Sequence, residues 1–198
     1  MDKVTLYNSN TNLEYYHIPK NGMTSLIKTL NVKWEYISEI PKERTTLAVL
    51  REPISRFMSS FNHLLNRRNR EHIIRDISEE KLNKIFNKQN IKQSIENYIS
   101  EIEENGFFDH HNLPQINYLN GEHDLHSNRK ISDINIFIDF ELLKDKTLNI
   151  DGNVYNTRYL NSSNSITKDK VKQEINYFTD RIIKLYEEDY ILYKNKIG

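Results

Sequence analysis

One short segment of the chain joins a positive charge to small polar residues just after an aromatic run. Lys20 lies between Pro19 and Gly22, and Thr24 and Ser25 follow. A turn of this kind at the start of a helix directs several backbone N–H groups and the positive helix end at one point. Glycine lets the backbone approach a bound group closely, and lysine adds a mobile charge. The segment therefore predicts a binding site for a phosphate or sulfate group.

A second segment places an arginine where another apolar run ends. Arg51 directly follows the run Thr45–Leu50. Arg56 and Ser59 are three residues apart, so a helix that begins at Pro53 would carry both on one face. The planar guanidinium group suits a phosphate, and a serine hydroxyl can complete its hydrogen bonds. This segment predicts a second site for an anion.

Each segment also has a plainer interpretation. The first could be a capped turn with a solvated lysine, and the second a surface ion pair of Arg51 and Glu52. The occurrence of both, in order and each after an apolar run, favours anion binding. The Walker A spacing is absent because Lys20 precedes Gly22, which argues against a standard magnesium-dependent nucleotide triphosphatase loop.

Strands that alternate with helices must position these segments. Aromatic or apolar runs predict strands over 13–18, 45–50 and 134–138, with a shorter one near 154–160. Helical spacing of apolar residues predicts helices over 26–30, from Pro53 onward, over 79–104 and over 168–193. This order predicts an α/β fold around a mostly parallel sheet. In such sheets ligands bind at the carboxyl ends of the strands, where both segments lie.

Composition limits the class of protein. The 198 residues suit one domain, and Lys+Arg and Asp+Glu balance at 28 each. That balance favours neither nucleic acid nor a membrane surface as a partner. Without cysteine the chain has neither disulfides nor a thiol nucleophile, and we see neither a signal peptide nor a membrane span. We expect a cytoplasmic protein, and the scarcity of alanine suggests a microbial or viral source.

On these segments the chain resembles the sulfotransferases that use 3'-phosphoadenosine 5'-phosphosulfate (PAPS), in the branch of carbohydrate and Golgi-type enzymes and their bacterial relatives. His17–Ser25 is similar to the family's 5'-phosphosulfate loop, and Arg51–Ser59 to its 3'-phosphate motif. The later pieces that fit are His111–Gln115, Phe140–Leu143, Leu160–Ser163 and Leu185–Tyr190. The resemblance implies one sulfotransferase domain over residues 1–198, with a P-loop-like three-layer fold whose central, mostly parallel sheet is flanked by helices.

The resemblance also implies roles for single residues. Lys20 would contact the bridging oxygen of the phosphosulfate and stabilise the leaving phosphate, and Arg51 and Ser59 would bind the 3'-phosphate. The residues expected to hold the 5'-phosphate are Asn21, Gly22, Met23, Thr24 and Ser25, and those expected near adenosine are Asn161 and Ser163. Asn21 and Met23 depart from the residues common in relatives, and Glu52 replaces the usual aspartate.

A transfer to an acceptor needs a general base, and histidine has a suitable unperturbed pKa. His111 is the first candidate, because the family places its segment near the cleft, and His110 is the second. The rivals are His17, His63, Glu35 and Glu39. The histidines His110, His111, His123 and His126 match no standard zinc pattern, so we expect no metal.

The resemblance implies that the acceptor is a small molecule or a glycan, sulfated on a hydroxyl or an amine, and that the product is PAP (3'-phosphoadenosine 5'-phosphate). Two other functions stay open. A P-loop-type small-molecule kinase would require ATP and magnesium, and a non-catalytic protein would bind PAPS or PAP without turnover. The sequence assigns no oligomeric state.

Overall fold

The computed structural model describes residues 5–30, 35–37, 41–66, 78–122, 130–144, 147–150, 152–157 and 166–198. In chain order the strands are β1 (Thr5–Asn8), β2 (Leu13–Tyr16), β3 (Glu35–Ile37), β4 (Thr45–Leu50), β5 (Ile136–Asp139), β6 (Thr147–Ile150) and β7 (Asn153–Asn156). The helices are α1 (Met23–Leu30), α2 (Pro53–Asn66), α3 (Glu79–Ile85), α4 (Ile91–Asn105), α5 (Gln115–Leu119), α6 (Ile166–Glu174), α7 (Thr179–Leu185) and α8 (Glu187–Lys196).

The chain divides into two compact units. The first comprises Met1–Glu52, Pro114–Leu160 and Ile191–Gly198, and the second comprises Pro53–Leu113 and Asn161–Tyr190. Each unit has its own hydrophobic core. The fold is α/β, as predicted, whereas the single domain over 1–198 stays a prediction. Among the described residues, no helix is both long and apolar enough to cross a bilayer.

The first unit contains a five-stranded sheet in the order β3-β1-β2-β4-β5. Strand β4 lies parallel to β2 and to β5, but β1 is antiparallel to both β2 and β3. The sheet is therefore mixed: β2, β3, β4 and β5 run in one direction, and β1 runs opposite to them. The reason is a tight hairpin: Asn8 Oδ1 accepts the N–H groups of Asn10 and Thr11, and Asn12 adopts a φ of 51°. Asparagine tolerates this left-handed geometry.

The three parallel strands position the predicted segments. Tyr16 pairs with Ala48, and Leu50 pairs with Asp139, so β2, β4 and β5 end at the same edge of the sheet. The residues of β4 from Leu47 to Leu50 are completely buried, as expected of a strand covered on both faces. The turn before α1, the exit to Arg51 and a 3-10 helix at Phe140–Lys144 all leave from this edge.

The second unit is helical and packs around aromatic side chains. Phe57, Phe61 and Tyr98 lie within 5.4–6.5 Å of one another, measured between ring centroids. Both phenylalanines come from α2, which begins at Pro53 as predicted and buries its apolar face. Tyr98 comes from the middle of α4.

Two predicted helices are interrupted. The helix expected over 79–104 is divided into α3 and α4, because Ser94 Oγ bonds both backbone groups of Asn87 and Asn90 caps the N-terminus of α4. Gly106 ends α4, with a φ of 81°. The closing helix expected over 168–193 is divided into α6, a 3-10 turn, α7 and α8. Tyr186 lies between α7 and α8, and its backbone is not helical. Its buried hydroxyl donates to the Asn112 carbonyl.

Candidate functional site

The turn between β2 and α1 has two residues in the left-handed region. Lys20 has a φ of 68° and Gly22 a φ of 84°. For a residue other than glycine this geometry costs about 1–2 kcal/mol, so other contacts must hold it. The side chain of Asn21 supplies them: it is buried, and its Nδ2 donates to Val49 O at 2.6 Å and to Gln115 Oε1 at 2.5 Å. The turn is thus fixed to the end of β4.

Gly22 has a packing role. A Cβ atom at this position would lie 2.8 Å from Phe140 Cε2 and 2.9 Å from Leu143 Cδ1. The absence of a side chain therefore lets the 3-10 helix Phe140–Lys144 pack directly on the turn. The sequence predicts that Gly22 lets the backbone approach an anion closely. The contacts with Phe140 and Leu143 give a second reason for a glycine at this position, which is packing within the protein.

The first amides of α1 are the remaining part of the predicted phosphate loop. The first hydrogen bond of the helix runs from Leu26 N to Gly22 O at 2.9 Å, so the amides of Met23, Thr24 and Ser25 precede it. Thr24 is exposed, whereas Ser25 is buried. The amide of Asn21 already donates to Ile18 O at 3.3 Å. The helix start is therefore the part of the loop best suited to an anion.

Arg51 reaches the same turn. Its Nη1 donates to the Lys20 carbonyl at 3.0 Å, and its guanidinium carbon lies 4.2 Å from the centre of the Phe140 ring. Gln115 holds the Arg51 backbone, since Oε1 accepts Arg51 N at 3.0 Å and Nε2 donates to Arg51 O at 2.9 Å. The same Oε1 accepts Asn21 Nδ2. The structure therefore brings the Lys20 segment and Arg51 together through one glutamine.

Carboxylates lie at this edge too. Tyr193 OH donates to Asp139 Oδ1 at 2.9 Å, and Glu141 accepts from Lys144. Burial raises the pKa of Tyr193 well above its usual range, and the charges of Asp139, Glu141 and Glu52 add to that shift. The sheet edge that carries the Lys20 turn and Arg51 therefore carries acidic groups as well, and the predicted anion site would depend on local geometry more than on an overall positive field.

The predicted base residues lie in the second unit, in the turn after α4. Asp109 is buried, and its Oδ1 lies 3.0 Å from His110 Nδ1 and 3.1 Å from His111 Nδ1. Burial alone would raise the pKa of Asp109, but the hydrogen bonds and charges of His110 and His111 lower it below its usual range overall. The carboxylate is therefore ionised at neutral pH.

The donor atoms of Asp109, His110 and His111 lie within 4.8 Å of one another, which is close enough for a shared metal ion. Both Nδ1 atoms already serve hydrogen bonds to the carboxylate, so the geometry is explained without an ion and we assign no metal there. His123 and His126 lie outside the described residues.

The α2 residues of the second motif differ in exposure. Arg56 is buried to 1% exposure, and its Nη1 donates to the Leu113 carbonyl at 2.7 Å. Arg56 and Ser59 lie three residues apart on α2, as predicted, but the buried Arg56 guanidinium supports the turn that carries the histidines. Ser59 is half-buried.

Several predicted residues lie outside these contacts. Asn161, Ser163 and Glu39 fall outside the described residues, and Glu35 is described only as part of β3. Sequence reasoning missed the supporting residues: the Asn21 side chain, Gln115 and Asp109. Gln115 ends a segment that resembles the sulfotransferases, but no role was assigned to it. Asp109 directly precedes His110 and His111, and that adjacency could have indicated its role.

Comparison of the chain with protein-family models, with curated proteins and with solved structures finds no match.

Proposed function

We propose that the protein is a PAPS-dependent sulfotransferase with a P-loop-like fold, which moves a sulfuryl group to a hydroxyl of a carbohydrate-like acceptor. The amides at the start of α1 and Lys20 bind the 5'-phosphosulfate, while Arg51 and Ser59 bind the 3'-phosphate. Asn161 and Ser163 contact adenosine. A histidine of the turn after α4, His111 or His110, accepts the proton of the acceptor.

One observation carries the proposal: Gln115 holds both the turn of Lys20 and the exit of Arg51 in the first unit. Sulfuryl transfer, like phosphoryl transfer, depends on positioning and on stabilisation of charge more than on covalent help from the protein. A glutamine that fixes two separate anion-binding segments supports that requirement directly. The resemblance of both segments to the sulfotransferase motifs supplies the identity of the donor.

The roles follow from where charge develops. As the S–O bond to the 5'-phosphate breaks, negative charge grows on the leaving phosphate, and Lys20 with the helix amides meets that charge. Arg51 binds the 3'-phosphate, which distinguishes PAPS from nucleotides without that group. The side-chain fork of arginine matches a phosphate better than a lysine would.

A kinase is the second candidate, and one residue favours it. Asp139 ends β5 beside the end of β4, where nucleotide triphosphatases place a carboxylate for magnesium. Its Oδ1 already accepts from Tyr193 OH and from Glu141 N. A kinase would bind ATP and magnesium, whereas the sulfotransferase proposal requires neither.

The experiment is calorimetric titration with PAP and, separately, with 5'-ADP, both without magnesium. We expect PAP to bind and ADP to bind far more weakly. Replacement of Arg51 by alanine should weaken PAP binding by about 1.5–3 kcal/mol, because a charge-assisted hydrogen bond is lost. Arg51→Lys should recover only part of this loss, since it keeps the charge without the fork.

Arg181→Ala is the matched control, because this surface arginine pairs with Glu96 and Glu103 in the second unit. It removes the same charge and should leave PAP binding unchanged. Equal affinity for PAP and ADP, or an Arg51→Ala affinity equal to wild type, would overturn the assignment of the 3'-phosphate site. Magnesium-dependent ATP binding in place of PAP binding would favour the kinase.

A further inference from the structure

The two candidate bases differ in how firmly they are held. The His111 side chain is 12% exposed and the His110 side chain 44%. The Nδ1 of His111 lies 3.1 Å from each oxygen of the Asp109 carboxylate, and its backbone N–H donates to Asp109 Oδ1 at 3.2 Å. Its carbonyl accepts from the Ser60 hydroxyl, and its ring lies 4.7 Å from that of His63. His111 is thus fixed through both its backbone and its ring.

Asp109 is itself held on several sides. Its backbone N–H donates to Asn112 Oδ1 at 3.1 Å, and its carbonyl accepts the amides of Asn112 at 2.9 Å and Leu113 at 3.2 Å. The Asn112 carbonyl accepts the buried Tyr186 hydroxyl at 2.6 Å. The carboxylate therefore faces His111 from a buried turn that these hydrogen bonds hold in place.

We infer that Asp109 is a positioning residue that keeps the ring proton of His111 on Nδ1, so that Nε2 of His111, and not His110, is the general base. The catalytic part of this inference rests on the proposed sulfotransferase function. The positioning part rests only on the contacts of the second unit. An acceptor such as the carboxylate at Nδ1 selects the tautomer in which Nε2 carries the lone pair.

The acceptor O–H proton moves to His111 Nε2, and the acceptor oxygen forms a bond to sulfur. The S–O bond to the 5'-phosphate breaks, and its electron pair leaves with PAP. The imidazolium then releases its proton to water. Asp109 stays ionised throughout, because the hydrogen bonds and charges of the histidines outweigh the effect of burial and keep the pKa of its carboxyl low.

The test begins with 15N NMR of the histidine rings of the wild-type protein at a pH where they are neutral, with a chelator present. We expect His111 to carry its proton on Nδ1. In Asp109→Asn an amide N–H₂ can face Nδ1, and the proton should move to Nε2. Turnover should fall on the order of 10³-fold, while PAP affinity stays unchanged. His110→Gln should lower turnover far less than His111→Gln does.

The outcomes separate the two proposals. A wild-type His111 with its proton on Nε2 would overturn the positioning role, and this spectrum needs no variant that might fail to fold. Full turnover in Asp109→Asn, or a His110→Gln loss as large as that of His111→Gln, would overturn it as well. The expected tautomer together with no PAP binding would remove the sulfotransferase function and leave the positioning role supported.

Discussion

Lys20 combines a charge with a strained backbone. A φ of 68° is unfavourable for lysine, yet Asn21 and Arg51 hold the turn in this form. Strain of this kind persists only where the surrounding structure imposes it, and it is commonest at functional sites. Lys20, which the resemblance assigns to the leaving phosphate, therefore has an unfavourable backbone conformation that destabilises the fold locally.

The strain at Lys20 predicts that its glycine and alanine variants differ in stability but not in activity. Lys20→Gly should be about 0.5–1 kcal/mol more stable than Lys20→Ala, because the relief of 1–2 kcal/mol is partly offset by the greater unfolded entropy of glycine. Both variants lose the ammonium group, so turnover should fall alike in both and far more than PAP affinity. Urea unfolding and steady-state sulfuryl transfer measure the two effects. An alanine variant as stable as the glycine variant would contradict the left-handed geometry.

At the scale of elements, Gln115 links segments that are far apart in sequence. Its side chain accepts from Asn21 and from the Arg51 amide, and it donates to the Arg51 carbonyl. The turn before α1 and the exit of β4 therefore share one support from the start of α5. Loss of that support would affect both predicted anion-binding segments at once.

Gln115→Met removes these hydrogen bonds and keeps a similar side-chain volume. We expect a loss of at least ~2 kcal/mol in unfolding free energy, since buried backbone and side-chain groups lose their partners. PAP affinity should fall as well. The control is Gln93→Met on α4, whose exposed side-chain amide donates to Asn97 and which should change neither quantity. Unchanged PAP affinity in a destabilised Gln115→Met would show that the support is purely structural.

Elements with strong local signals could be predicted from the sequence. The buried run Thr45–Leu50 is β4 itself, and Pro53 begins α2 as expected. The break between α3 and α4 could not be predicted, because it depends on Ser94 and Asn90 bonding nearby backbone without a proline or glycine as a marker. The support of the site by Gln115 could not be predicted either, since its partner Asn21 lies 94 residues away.

At the scale of the whole molecule, Asp109 makes stability depend on pH. The pKa of its carboxyl is lowered from an ordinary value of 3.8 in the folded protein. Between the folded and unfolded values the unfolded chain binds a proton that the folded chain does not, so stability falls as pH falls. This contribution is fully present above the unfolded value and is lost as pH falls through the folded one.

The wild type should therefore lose stability between about pH 5 and about pH 2, and Asp109→Asn should lose less. Urea unfolding at each pH measures the difference in free energy between the two proteins. We expect that difference to shrink steadily on acidification. A difference that stays constant with pH would show that the Asp109 carboxylate does not interact with the histidines in solution.

The long separation between Asn21 and Gln115 also affects the order of events during synthesis. The turn of Lys20 leaves the ribosome 94 residues before the side chain that fixes it. A nascent chain that ends before residue 115 contains both predicted anion-binding segments but lacks the hydrogen bonds that join them. If the proposed function holds, donor recognition therefore arises late in translation, although the residues that would perform it are among the first to be made.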